Sequence, residues 1–160
     1  MYFTAMVEEI FRSRGTVNKF VGDMIVALFG APVHMENAET AAIRAAVHMQ
    51  KRLQSLDDAW IRAHFHTGVG VSAGRVVVGN IGSPRHMDYT AIGDEVNVAS
   101  RLQAEAKGGQ ILVSRTVYEA GRDVFSFRPM GPIRVKGKQK PVETYEVLYG
   151  ENVTDHRREE

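Results

Sequence analysis

The order of the hydrophobic patterns along this chain restricts its fold more than any other feature of the sequence. Segments whose apolar residues lie three and four positions apart, as in amphipathic helices, alternate with short runs rich in β-branched residues. This alternation predicts an α+β fold, in which helices pack on a largely antiparallel sheet. A ferredoxin-like βαββαβ core fits the order only if one strand and one helix precede residue 1.

Turn and cap signals divide the chain into predicted elements. A helix is predicted over residues 2–13, and a hairpin follows it with Gly22 near the bend. Asn37 is expected to cap a helix that continues to about residue 55. The other predicted elements are strands over 16–20, 24–29, 87–92, 111–113, 125–135 and 142–149, two strands within 65–80, and helices over 94–107 and 114–121. Together they predict one domain over residues 1–150, followed by a polar, frayed tail over 151–160.

The composition excludes several classes of protein. With 20 basic and 19 acidic residues the formal net charge is +1, so the chain as a whole is not attracted to nucleic acid or to an anionic membrane. The absence of cysteine excludes disulfides and thiolate metal clusters. No apolar run reaches the length that spans a bilayer, and no secretory leader is recognisable. We therefore expect a cytoplasmic domain, alone or as part of a larger or membrane-attached protein.

The predicted hairpin carries two charged residues that suit a catalytic site. Lys19 is expected to end the first strand and Asp23 to open the second, so that both side chains project from one edge. A carboxylate there suits Mg²⁺, and a lysine there suits a nucleotide base or a phosphate. Spacing alone leaves a second interpretation open, namely a hairpin tip with a solvated ion pair.

A second pair of candidate residues lies in the helix predicted over 94–107. Asn97 and Arg101 are four positions apart and therefore share a face of that helix. Arginine offers phosphate oxygens a fixed fork of donors, and asparagine can orient a ribose or an attacking group. The structural alternative is that Arg101 pairs with Glu105 while Asn97 helps to cap the helix.

Three lysines surround the turn predicted between the last two strands, at Lys136, Lys138 and Lys140. Gly137 gives the backbone of this turn conformational freedom. On composition alone such a turn is more often a solvated hairpin tip than a ligand site.

The chain closely resembles the class III adenylate and guanylate cyclases over nearly its whole length. The resemblance is carried by four blocks that occur in the family's order, KFVGDMIVALFGAP, GVSAGRVVVGNIG, MDYTAIGDEVNVASRL and VKGKQKPVETYEV. The resemblance implies that Asp23 is the second metal-binding aspartate. It also implies that Lys19 reads the adenine ring, at a position where guanylate cyclases usually carry glutamate, and that Thr90 occupies the other base-reading position.

The same resemblance assigns the remaining candidate residues. Asn97 and Arg101 match the pair that positions the ribose and stabilises the α-phosphate in the transition state, and Lys136 matches the lysine that holds the terminal phosphates. The implied reaction converts ATP to 3′,5′-cyclic AMP and pyrophosphate with two Mg²⁺ or Mn²⁺ ions. In this family each substrate lies between two subunits, which implies a homodimer with two equivalent composite sites. Sensor or regulatory domains in the parent protein are implied as well.

The sequence departs from the family pattern at its start. Family members begin with a strand that carries the first metal-binding aspartate, followed by a helix, and residue 1 matches the start of the family's second helix. We therefore expect the 160-residue chain alone to be catalytically weak or inactive. Two alternatives to an adenylate cyclase stay open at this point, a cyclase-like module that binds a nucleotide or a partner without chemistry, and a guanylate cyclase.

Overall fold

The computed structural model of the chain describes residues 2–56, 58–64, 67–83 and 86–150, with the side chains of residues 62 and 80–90 left aside. The helices are α1 (Tyr2–Arg12), α2 (Ala38–Ser55), α3 (Ala59–His64), α4 (Asp94–Glu105) and α5 (Arg115–Gly121). The strands are β1 (Thr16–Val21), β2 (Met24–Leu28), β3 (Val69–Val71), β4 (Val77–Ser83), β5 (His86–Ile92), β6 (Ile111–Ser114), β7 (Ser126–Ile133) and β8 (Val142–Leu148).

The strands form a central sheet and two separate ribbons. The sheet has the order β3–β6–β8–β7, in which β3 and β6 are parallel while β8 runs antiparallel to both β6 and β7. The hairpins β1–β2 and β4–β5 are each antiparallel. The predicted α+β class with a largely antiparallel sheet is therefore confirmed.

Helix α2 joins the two layers of the core because it buries two of its faces. Ile43 and Val47 pack against the sheet residues Ile111 and Val113. Leu53, on another face, packs with α1 and α3 in a second cluster. The sequence predicted the alanine-rich stripe of this helix, whereas the burial of Ile43 and Val47 becomes clear only when the sheet is placed against it.

Two local expectations differ from the structure. Asn37 lies at the predicted start of α2, but its backbone is left-handed with φ of 57° and its side chain makes no capping hydrogen bond. Helix α3 was not predicted, and it begins where the Asp58 carboxylate accepts hydrogen bonds from the amides of Trp60 and Ile61 at 2.9 and 3.2 Å. The tail over 151–160 lies outside the described residues.

Helix α4 lies unusually close to strand β3. A methyl group added at Gly70 would lie 2.3 Å from the backbone oxygen of Ala99 and 2.4 Å from the backbone nitrogen of Gln103. The apolar face of α4 is fully buried at Val98 and Leu102, as its spacing predicted. Any side chain at position 70 would therefore push the helix away from the sheet.

We expect Gly70→Ala to lower the free energy of unfolding by about 1–3 kcal/mol, because the added methyl overpacks a contact between two backbones. Urea denaturation followed by circular dichroism measures the change. Gly79→Ala is the matched control, because a methyl group at Gly79 meets no atom within 4 Å. Equal stability of Gly70→Ala and Gly79→Ala would contradict the close contact.

Candidate active site

The β1–β2 hairpin places Asp23 at its tip. Val21 pairs with Met24, so Gly22 and Asp23 form a two-residue turn in which Gly22 has φ of 61°. A positive φ at this position favours glycine, as the sequence predicted. Two expectations need correction, because Lys19 does not end its strand and Asp23 lies in the turn before β2 instead of opening that strand. Strand β1 continues through Val21 because the backbone still pairs with β2 up to the turn.

Lys19 follows an irregularity in the hairpin. The pairing shifts between Val17 and Lys19, so that Asn18 has no directly opposed residue and Lys19 lies opposite Val26. Such a bulge turns the next side chains relative to the regular alternation, and bulges are frequent beside active sites. The side-chain oxygen Oδ1 of Asn18 is buried and has no hydrogen-bond partner among the described residues. The sequence gives no signal for Asn18, since a bulge is defined only by the partner strand.

Lys19 and Asp23 are both exposed, and no described residue forms an ion pair with either of them. The solvated ion pair, which was the alternative interpretation of the hairpin, is therefore absent from the described contacts. Burial raises the pKa of Tyr2 in α1, and the negative charge of Asp23 raises it further. The carboxylate of Asp23 is thus close enough to α1 to act on Tyr2 and remains open to solvent.

Asp23 fits a divalent metal as one ligand and does not make a complete site. Its carboxylate is the hard oxygen donor that Mg²⁺ and Mn²⁺ accept. Within the described parts of the chain, however, no group of three or more His, Cys, Asp or Glu side chains could hold an ion. Further ligands would have to come from elsewhere.

Helix α4 presents Asn97 and Arg101 on its exposed face. The guanidinium of Arg101 lies 2.7 Å from the carboxylate of Glu105, and both side chains are about half exposed. The structural alternative is therefore present for Arg101, whereas Asn97 does not cap the helix, which begins after Gly93 without a side-chain capping bond. An exposed ion pair of this kind is weak. Arg101 can exchange Glu105 for a stronger anion at little cost.

Lys136 lies in a tight turn between β7 and β8. The amide of Lys138 donates a hydrogen bond to the carbonyl of Val135 at 3.1 Å, and Gly137 has φ of 92°. This arrangement requires a residue that accepts a positive φ at the third turn position, which explains the glycine. Lys136 is thereby held exposed at the second position of the turn.

A polar network ties this turn to the first turn of α4. The ammonium of Lys138 donates to one carboxylate oxygen of Glu95 at 3.3 Å. The hydroxyl of Ser72 lies within donating distance of the other carboxylate oxygen, at 2.9 Å, and of the Glu95 carbonyl, at 2.7 Å. The sequence placed Lys138 in the turn but gave no signal for its partner, which is 43 residues away.

The candidate residues thus fall into two groups. Strand β1, with Lys19, contacts strand β5, which carries Thr90 opposite Gly79, and the side chain of Thr90 lies outside the described residues. The network of Glu95 and Lys138 joins α4 to the turn of Lys136. Within the described residues, no hydrogen bond or ion pair connects the hairpin group with the helix group.

Comparison with known proteins identifies the class. The family model described as the adenylate and guanylate cyclase catalytic domain matches residues 3–149. The chain therefore belongs to this family, as the sequence blocks predicted. It is 35% identical to adenylate cyclase 1 of Rhizobium meliloti over 92% of this chain and 23% of that protein. It is also 35% identical to the terminal-differentiation-specific adenylate cyclase of Dictyostelium discoideum over 94% of this chain and 7% of that protein.

Solved structures of both kinds of cyclase resemble the chain. The adenylyl cyclase CyaB from P. aeruginosa superposes with a TM-score of 0.84 at 34% identity, covering 94% of this chain and 80% of that one. The guanylyl cyclase Cya2 superposes with a TM-score of 0.80 at 34% identity, covering 91% and 76%. The chain is thus a cyclase catalytic domain that spans less than a quarter of the two longer relatives. None of its described helices has both the length and the hydropathy needed to cross a membrane.

We expect Glu95 and Lys138 to be energetically coupled, because their ion pair is partly shielded, with side chains 19% and 32% exposed. In a double-mutant cycle of Glu95→Gln and Lys138→Met, the coupling energy should be about 0.5–1 kcal/mol. Urea unfolding of the four proteins at low ionic strength measures it. If the changes in the free energy of unfolding of the two single variants simply add up in the double variant, the ion pair does not hold the turn against α4.

Proposed function

We propose that this domain converts ATP to 3′,5′-cyclic AMP and pyrophosphate. The observation that carries the choice of ATP is the exposed Lys19 on the hairpin. Overall similarity does not decide between substrates, since an adenylyl and a guanylyl cyclase are both 34% identical to the chain. A lysine ammonium only donates hydrogen bonds. It therefore suits the acceptor nitrogen N1 of adenine and opposes the donor edge of guanine.

We propose further that the active site is shared by two copies of the chain. The candidate side chains Lys19, Asp23, Asn97, Arg101 and Lys136 are all exposed in the single chain. They form two groups without a described polar contact between them. A twofold dimer that brings the hairpin of one copy to α4 of the other creates two identical clefts. Such clefts shield these charges from water and so strengthen their interaction with a triphosphate.

In this proposal each residue has a defined task during cyclisation. The ribose 3′ oxygen attacks the α-phosphorus in line, and pyrophosphate leaves from the opposite side. Arg101 releases Glu105 and directs its N–H donors to the α-phosphate, where negative charge accumulates in the transition state. Asn97, one helical turn earlier, holds the ribose in the attacking orientation. Lys136 binds the terminal phosphates and keeps the leaving group aligned.

The proposal includes a divalent metal ion, for which this chain offers a candidate ligand, Asp23. Mg²⁺ or Mn²⁺, when bound, supplies activation of the attacking oxygen and neutralises the phosphate charge. Asp23 would be a ligand from this chain. The two ions expected from the family would need more carboxylate ligands, because no group of three or more potential metal ligands lies together among the described residues.

Lys19→Glu should exchange the base preference, because a carboxylate accepts hydrogen bonds from guanine and repels the acceptor edge of adenine. We expect the ratio of ATP to GTP affinity to fall by about tenfold to a hundredfold. Fluorescent N-methylanthraniloyl derivatives of both nucleotides, titrated with Mn²⁺ present, measure this ratio even in a chain with weak turnover. Lys107→Glu is the control, since it changes the net charge equally at an exposed site outside both groups. An unchanged ratio in Lys19→Glu would remove the support for ATP.

Complementation tests the shared site. Asp23→Ala and Arg101→Ala should each abolish cyclic AMP formation, because every composite cleft loses a required group. Random pairing of the two variants makes half of the dimers mixed, and each mixed dimer has one intact cleft out of two. An equimolar mixture should therefore regain about a quarter of the parental rate. Nucleotide titration replaces the rate if turnover is too slow. A mixture no better than either variant would contradict a site between two chains.

A further inference from the structure

A cavity lies on the side of α2 that faces α1 and α5. Its volume is about 920 Å³, which is within the range of small-molecule sites. None of the candidate active-site residues lines it. Its walls are the C-terminal end of α1, one face of α2 with the loop before it, and the chain after α5. The cavity is therefore separate from the cyclase site.

Positive charge dominates the wall that α2 contributes. Arg44 and Lys51 lie two helical turns apart on this face, and Arg14 adds a guanidinium from the end of α1. His48 lies between Arg44 and Lys51, with its ring 3.9 Å from the carboxylate of Glu9. In the whole lining, five arginine or lysine side chains accompany three acidic ones. An anion entering the cavity would thus meet the cations Arg44 and Lys51 on α2 and Arg14 at the end of α1.

One acidic residue of the lining is already paired with arginines. The buried carboxylate of Glu9 is held by Arg12 at 2.9 Å and by Arg52 at 3.1 Å, and Arg52 also pairs with Glu8 at 2.7 Å. The other two acids, Glu36 and Asp123, are exposed and make no described ion pair.

The cations Arg14, Arg44 and Lys51 are also without an ion pair among the described residues. Their charges are therefore available to a ligand. All three side chains are exposed, and the fold places them around one cavity, where an anion can reach more than one of them.

Arg14 occupies a backbone position where glycine is normal. The amide of Gly15 donates to the carbonyl of Ile10 at 2.9 Å, which closes α1 with a Schellman motif, and Arg14 has φ of 69°. The neighbouring Gly15 cannot exchange roles with it, since a methyl group there would lie 2.6 Å from the Phe29 ring. Asn37, on the loop wall of the same cavity, is left-handed as well. Strained residues of this kind concentrate at functional sites.

We propose that this cavity binds a small polyanion that carries several phosphate or carboxylate groups. Arg44 and Lys51 are seven residues apart on α2, which corresponds to about 10 Å along the helix axis. A single phosphate does not bridge that length, whereas a chain of phosphates or a tricarboxylate can contact two or three of the cations at once. The guanidinium groups of Arg14 and Arg44 can each donate two parallel hydrogen bonds to a carboxylate or a phosphate group.

Isothermal titration with inorganic tripolyphosphate and with citrate, each in the absence of metal, tests the proposal. The stronger of the two probes identifies phosphate or carboxylate as the preferred group. Arg44→Glu should weaken its binding by about tenfold or more, because one charge-assisted contact becomes repulsive. Lys107→Glu, with the same change of net charge outside the cavity, should alter the affinity by less than about threefold.

Arg14→Gly provides a variant whose fold is not at risk, because glycine suits its left-handed backbone. It should unfold at the same or a higher temperature while binding the probe at least about tenfold more weakly. Lys136→Ala distinguishes the cavity from the proposed nucleotide site and should leave probe binding in place. Three results would overturn the proposal. Probe binding could be lost in Lys136→Ala but kept in Arg44→Glu, or Lys107→Glu could weaken probe binding as much as Arg44→Glu does. The third such result is that neither probe shows saturable binding.

Discussion

The close contact between the backbones of α4 and β3 is the constraint on which the geometry of the candidate active site depends. Gly70 removes the side chain that would separate the helix from the strand, and Gly68 does the same one step earlier, where a methyl group would lie 2.7 Å from the carbonyl of Ala106. Helix α4 is then fixed along most of its length. Its opposite face, with Asn97 and Arg101, is fixed with it, although no side chain on that face is buried. The stability of the core thereby positions residues that lie outside the core.

The turn that carries Lys136 depends indirectly on the contact between α4 and β3. Glu95 lies in the first turn of α4 and holds Lys138, so the turn follows the helix. The hairpin with Lys19 and Asp23 is built differently, as a two-stranded ribbon whose outer residues Phe20 and Val21 are about half exposed. One group of candidate residues is therefore anchored to the sheet, and the other lies on a projecting ribbon with apolar surface. A division of this kind suits a site that is completed by association.

Much of this arrangement could be predicted from the sequence where local signals are strong. Gly22 and Gly137 mark turns because their positive φ angles favour glycine, and the spacing of Val98 and Leu102 defines the buried face of α4. Four sequence blocks are sufficient to identify the family. Local signals fail where the partner is distant in sequence. The bulge at Asn18, the second buried face of α2 and the contact between Glu95 and Lys138 all depend on elements that the chain brings together only when folded.

The connection between α1 and β1 has a mechanical consequence. Only Ser13, Arg14 and Gly15 lie between the last residue of the helix and the first of the strand, and Gly15 is enclosed by Ile10 and Phe29. Three residues reach about 10 Å when fully extended. Because the backbone of Arg14 and Gly15 is hydrogen-bonded to the last turn of α1, these residues cannot extend further without breaking that turn. A displacement of α1 along its axis is consequently transmitted to β1 instead of being absorbed by a loop. Whatever moves the first helix moves Lys19 and Asp23 as well.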